Sequence, residues 1–295
     1  MSKVSSLLDP AFCAQLEQLR LASRHRVLGR QSGQRTSRLL GSSLEFADYR
    51  SYAPGDDIRQ VDWNAYARLG KWFLKMYLDE REITLHLIID TSKSMSFGEP
   101  SKGEVALRLA AALGYIALYH TDRVGLITFR EQVISNLPVQ QGKRGVHRLF
   151  SFLEEIQFTG KGDINAAFSH PSALPRERGL TVVLTDALFD QGYQEGLSRL
   201  QKTGGQVFLI HLSTAEERDP AWSGDLRLID SETGNYREVS FSPPVLQAYR
   251  QTEMGYREEL RHWCFRRGMV YIPIAVEENL ESMVFTILRY SGLVR

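Results

Sequence analysis

The stretch "LHLIIDTSKSMSFG", residues 85–98, climbs through aliphatic residues to Asp90 and then sets hydroxyls at Ser92, Ser94 and Ser96. A second apolar run, in "VVLTDALFD", ends on Asp186. In an open parallel sheet, ligands bind beyond the carboxyl ends of the strands, where loops and helix N-termini converge. Two acids at equivalent strand ends can therefore meet in one crevice, although each could instead merely cap the helix that follows it. In a tight loop alternate residues turn the same way, so Asp90, Ser92 and Ser94 can face a single point. Hydroxyl, carboxylate and water oxygens at one point suit a hard cation: Mg²⁺, Mn²⁺ or Ca²⁺.

Other chemistries fit the spacing less well. A phosphate-cradling loop needs GxxxxGK[ST], and no glycine lies in the turn before Lys93. A nucleophile elbow needs GxSxG, but Ser94 stands where the first glycine belongs. Phosphotransfer through an aspartyl phosphate, as in the haloacid dehalogenases, wants a second carboxylate two residues after the first, and Ser92 occupies that position. A metal-dependent phosphohydrolase using Asp90 and Asp186 remains the alternative to a non-enzymatic site. The histidines show no H-x₃-H spacing; His86 and His211 fall inside strands and read as satisfied core or rim residues.

Elements able to position these residues alternate along the chain. "ITLHLIID", "RVGLITF", "GLTVVLTD", "GQVFLIHLS" and "MVYIPIA" read as strands, separated by helical stretches such as "KGEVALRLAAALGYIALYH", "DINAAFSH" and "PVLQAYRQTEMGYREELRHWCFRRG", with "ENLESMVFTILRY" closing the chain. Strands alternating with helices predict an α/β fold, a Rossmann-like doubly wound, mostly parallel sheet of about five or six strands with helices on both faces. "GDLRLIDSETGNYREVSF" interrupts the series with two alternating runs around a Thr-Gly turn, which predicts a hairpin inserted at the sheet edge. Near the start, Asp9 and Pro10 open a helix expected to run to about Gly29.

At 295 residues the chain has room for one large domain or two ordinary ones. Hydrophobic residues at 43% and charged residues at 24% exclude wholesale disorder, and a formal charge of +1 gives no general attraction to nucleic acid. Cys13 and Cys264 stand in no CxxC spacing, so neither a disulfide framework nor a cysteine zinc site is expected. No run of 18 apolar residues occurs. With no signal-like start either, a cytoplasmic, soluble chain is expected.

"DTSKS" resembles the metal-ion-dependent adhesion site (MIDAS) of von Willebrand factor A domains, with Asp186 in "VLTDALFD" matching the later aspartate, over roughly residues 82–290. The resemblance implies direct ligation by Ser92 and Ser94, aspartates acting often through water, a threonine from a third loop, and a partner's acid completing the shell. This third loop, "TGKGDINAAF", has Gly162 where the threonine would stand, with Thr159 or Asp163 as substitutes. "GSSLEFADYRSYAPGDDIRQVDWNAYARLGKWFLKMYLDERE", residues 41–82, further resembles the signature of the bacterial family called domain of unknown function 58. Some members carry transmembrane helices ahead of this block, and this chain resembles the short members without them. Membership implies an adaptor associated with a MoxR-type AAA+ ATPase and its client.

The division expected is an N-terminal helix, basic arm and signature segment over residues 1–81, wrapping an A-like domain over 82–295. The signature brings Asp56, Asp57 and Asp62 against Arg50, Arg59 and Arg68, with Trp63 and Tyr66 between. Pairing that pins a long loop is the expectation there, with Trp63 as a packing anchor; a second metal site is the alternative. Six arginines between Arg20 and Ser43, with no acid among them, are expected to dock a partner or face solvent.

Overall fold

Strand positions in this chain follow its apolar runs. The computed structural model describes residues 7–22, 45–54, 56, 58, 61–78 and 82–295. They belong to two compact units, residues 24–82 and residues 1–23 with 83–295. Most of the arginine-rich arm, Asp57 and Arg59 lie outside the described residues.

The larger unit begins with helix α1, Pro10–Leu16, capped by the Asp9 side chain. It is shorter than its sequence pattern predicts, because Leu19 and Leu21 are buried in non-helical backbone and Leu21 bridges to Val294. In the smaller unit, strand β1 (Glu45–Ser51) and β2 (Phe73–Leu78) form an antiparallel pair. Between them lies helix α2, Trp63–Leu69, whose N-cap Asp62 accepts from the amides of Asn64 and Ala65.

The larger unit then builds its sheet. Strand β3 (Thr84–Asp90) leads into helix α3 (Lys102–Tyr119), and β4 (Arg123–Phe129) is followed by β5 (Val133–Gln141) and helix α4 (Gly142–Glu154). Next come α5 (Ile164–Ala167), β6 (Leu180–Thr185), α6 (Gln194–Lys202), β7 (Gln206–Ser213) and α7 (Ala215–Arg218). The hairpin β8 (Gly224–Ile229) and β9 (Tyr236–Phe241) precedes α8 (Pro243–Arg266) and β10 (Val270–Ala275). The predicted closing helix starts at Leu280 and continues as a π-helical segment, Met283–Leu288.

Six strands stand in the order β10-β7-β6-β3-β4-β5, all parallel except β5. This is the expected doubly wound α/β sheet, and the strand order reverses between β3 and β6. Edge strand β5 escaped the sequence reading because it is polar, alternating and interrupted by Pro138, features that belong at a sheet edge. Alternation in β3 feeds both faces: Leu85, Leu87 and Ile89 join a core with α1, α3 and α4, while Ile88 joins one with α6 and α8. Helix α3 lies close to the sheet through Ala106, Ala110, Ala111 and Ala117, and a Cβ on Gly114 would come within 2.2 Å of Leu149. Each large side chain removed from water here contributes roughly 1.5–3 kcal/mol. The crevice therefore rests on rigid walls.

Hairpin β8–β9 is a two-stranded sheet of its own, not an edge of the central one. Nearly all of it is exposed; Phe241 is its one buried residue.

Candidate functional site

The reversal of strand order sets the carboxyl ends of β3 and β6 side by side, with Ile89 and Leu184 in register. Asp90 and the residues after Leu184 consequently share one level. Asp90 is wholly buried; its Oδ1 accepts from the Ser92 amide at 2.9 Å and its Oδ2 from the Thr185 hydroxyl at 2.7 Å. Burial first, and then the nearby Asp186 charge, push its carboxyl up to about 7. Asp90 is thus a supporting acid under the loop, not an exposed one facing out.

The Ser92 and Ser94 hydroxyls lie 3.0 Å apart, as alternate residues turned the same way should. The third loop is sewn to them by backbone: the Thr159 amide donates to Thr91 and the Lys93 amide to Gly160. A Cβ on Gly162 would stand 3.1 Å from the Ser92 Cβ and 3.2 Å from the Phe189 ring. Gly162 therefore fills the space beside the hydroxyl pair, where a threonine would have to displace a neighbour. The substitutes proposed for it are engaged elsewhere. Thr159 is exposed and accepts from Arg130 at 2.8 Å, and Asp163 caps α5 through the Ala166 amide at 2.9 Å.

Asp186 follows directly after β6. Its backbone turn is sharpened by Ala187, whose φ of 55° is left-handed and rare for a side-chain-bearing residue. Its Oδ1 accepts from the Leu188 amide, and its Oδ2 accepts from Lys102 at 2.7 Å. The Lys102 ammonium, only 1% exposed, also donates to Glu217. Burial pulls this ammonium down, but Asp186 and Glu217 outweigh it and hold it above its ordinary value. Glu217 is fixed in turn by a reciprocal cap with Thr214 at the start of α7.

A fourth acid comes from the hairpin. At its turn the Asp230 carboxylate accepts from the amides of Glu232 and Thr233, which aims the Glu232 side chain at the third loop. Its Oε2 accepts a long bond, 3.4 Å, from the Gly162 amide. Its Oε1 is buried with no hydrogen-bond partner. Burial raises this carboxyl above its ordinary value, and Asp186 adds to the rise.

Asp90, Asp186, Ser92 and Ser94 are thus brought together, and sequence reading missed Lys102, Thr185, Glu217 and Glu232. One faint signal existed: a lysine in the first turn of a helix opposes the helix dipole, which favours acids there. Among the described residues no three His, Cys, Asp or Glu side chains gather as a ready metal cluster, so a cation here would depend on the serine hydroxyls. The two strand histidines are satisfied as expected, His86 by the Glu177 carbonyl and His211 by the Tyr271 hydroxyl.

Known proteins resemble this chain at several levels. The family described as Protein of unknown function DUF58 matches residues 48–259. Uncharacterized protein Rv1480 of Mycobacterium tuberculosis is 25% identical over 85% of this chain and 81% of its own length. An aerotolerance-related membrane protein from Bacteroides fragilis superposes with a TM-score of 0.44 at 20% identity, over 71% of this chain and 98% of that one. The SpRpn10 VWA domain does so with a TM-score of 0.31 at 16% identity, over 45% and 76%. The expected cytoplasmic location does not stand, because a similar protein is described as a membrane protein. Among the described residues no helix is long and apolar enough to cross a membrane, and that observation assigns no compartment.

Proposed function

The chain belongs to the DUF58 family and has a von Willebrand factor A-like fold, and from that premise we propose that it is a protein-interaction module whose crevice takes a divalent cation and, through it, a partner's carboxylate. The observation that supports this most is an unsatisfied acid oxygen beside the third loop. The Glu232 Oε1 is buried without a partner, while the Lys102 ammonium is taken up by Asp186 and Glu217. A buried acid oxygen without a partner is costly, and a hard cation beside the serine pair would relieve that cost.

The residues fit such an ion. Ser92 and Ser94 would offer hydroxyl oxygens, with Asp90, Asp186 and Glu232 supplying negative charge around them; Thr159 and Asp163 are left out because both are otherwise engaged. Mg²⁺, Mn²⁺ and Ca²⁺ are all candidates. When bound, the ion supplies a positive point that attracts an acidic side chain. Phosphohydrolase chemistry has less support, since both Asp90 oxygens are held and the residue is wholly buried, leaving no free nucleophile at that position. The family resemblance makes a MoxR-type AAA+ ATPase the partner to test first.

Asp90→Asn tests the reading while preserving shape. Calorimetry with Mg²⁺ and Mn²⁺ should show binding to the native chain and a loss of roughly tenfold or more in the variant, the scale on which a supporting carboxylate acts. Capture of the ATPase should disappear in EDTA. A native chain that binds neither ion overturns the proposal.

A further inference from the structure

The inserted hairpin has a place in this site that its sequence position does not suggest. We propose, resting on the cation reading above, that Glu232 is the chain's own acid at the crevice: it faces the cation in the free protein and latches hairpin β8–β9 over the serine pair, so that a partner's carboxylate must displace it.

Three observations converge on Glu232. Its turn is built to present it: Asp230 Oδ1 accepts from the Glu232 amide at 2.8 Å and from the Thr233 amide at 3.1 Å, and Gly234, with a φ of 74°, closes the loop by donating to the Asp230 carbonyl. The carboxylate then lands on the third loop at the Gly162 amide, whose residue lies against Ser92 of the motif. Its other oxygen, Oε1, is buried with no hydrogen-bond partner. A buried carboxylate oxygen with no donor is costly, and a cation at the serine pair would satisfy it.

The remainder of the hairpin explains why one residue can act as a latch. A two-stranded hairpin is at best marginally stable alone. Here β8 is exposed along its length, with Ile229 65% accessible. With so little apolar burial, the tip contact carries much of the order of the turn, and removing the tip's ligand should release it. Gly162 is part of the same device, since its lack of a side chain leaves its amide open to the acid.

Mn²⁺ is the probe. Calorimetry measures its affinity for the native chain, Glu232→Gln and Asp230→Ala, and hydrogen exchange follows amides 224–241 with and without the ion. Glu232→Gln should weaken Mn²⁺ roughly tenfold, and Asp230→Ala, which frees the turn but keeps the acid, should weaken it less. Mn²⁺ should slow exchange at the hairpin tip in the native chain and have no effect there in Glu232→Gln. Equal Mn²⁺ affinity in the native chain and Glu232→Gln, or hairpin exchange indifferent to the ion, overturns the latch while leaving the cation site in place. Absence of Mn²⁺ binding in every form overturns the cation reading itself, and the latch with it.

Discussion

Acids and bases crowd two regions of this protein and behave differently in each. Among the described residues of the signature segment, Asp62 and Asp56 bond near neighbours in sequence. Asp62 caps α2 and accepts from the Tyr49 hydroxyl at 2.8 Å, and Arg50 pairs with Asp56 at 2.8 Å in solvent. Arg68 lies in the last turn of the same helix, where its charge suits the dipole. In the crevice between β3 and β6 the charges come from distant parts of the chain, Asp90, Asp186 and Lys102 are buried, and one Glu232 oxygen has no partner. Lys102 reaches across 84 residues to Asp186 and across 115 to Glu217. A capping acid organises its own helix, whereas a buried acid oxygen without a partner stores a demand for something the chain does not supply. The second arrangement is the one that suits a ligand.

Trp63, expected as a packing anchor, meets Tyr66 edge-on and Trp72 at a tilt within an aromatic cluster while staying 55% exposed.

The contrast breaks most readily at Lys102. Lys102→Met removes the only ammonium bonded to Asp186 and Glu217 among the described residues and leaves two acids uncompensated, a loss of about 3–5 kcal/mol. Urea unfolding should show it, and added Mg²⁺ should restore part of the stability if the crevice takes the ion. A change under about 1 kcal/mol would mean that the crevice charges are as well solvated as those of the signature.

Asp62→Ala should act more weakly and in a different way. Loss of an N-cap costs about 1 kcal/mol, read as a lower melting temperature, with Mn²⁺ affinity unchanged. Lost Mn²⁺ binding with an unchanged melting temperature would move the signature cluster to a binding role and erase the distinction between the two regions.

The smallest effect is expected at Arg50. Its pairing with Asp56 is solvent-exposed, and the Asp56 carboxyl is held below its usual range chiefly by the Arg50 hydrogen bond and then by the Ala53 amide, which remains when Arg50 is removed. Arg50→Ala should leave the melting temperature within measurement error at ordinary ionic strength. A marked drop would show that the signature is a cooperative charge network.

Local pattern accounts for what could be read in advance. Apolar runs ending in acids marked β3 and β6, alternate serines marked the paired hydroxyls, and strand–helix alternation marked the doubly wound sheet, because each depends on residues a few positions apart. Strand β5 was missed because an exposed edge strand tolerates polar residues and Pro138. Helix α1 was overextended because Leu19 and Leu21 serve the core from non-helical backbone.

The sequence by itself determined the fold class, the meeting of Asp90 with Ser92 and Ser94, and the departure at Gly162, since these follow from side-chain periodicity and one tight loop. Only the tertiary structure decided which charges share the crevice. Lys102 comes from the start of α3, Glu217 from α7 and Glu232 from the tip of an exposed hairpin, and each is unremarkable among its sequence neighbours. Electrostatic interaction depends on separation in space and on burial, and chain folding sets both over distances that no local pattern records.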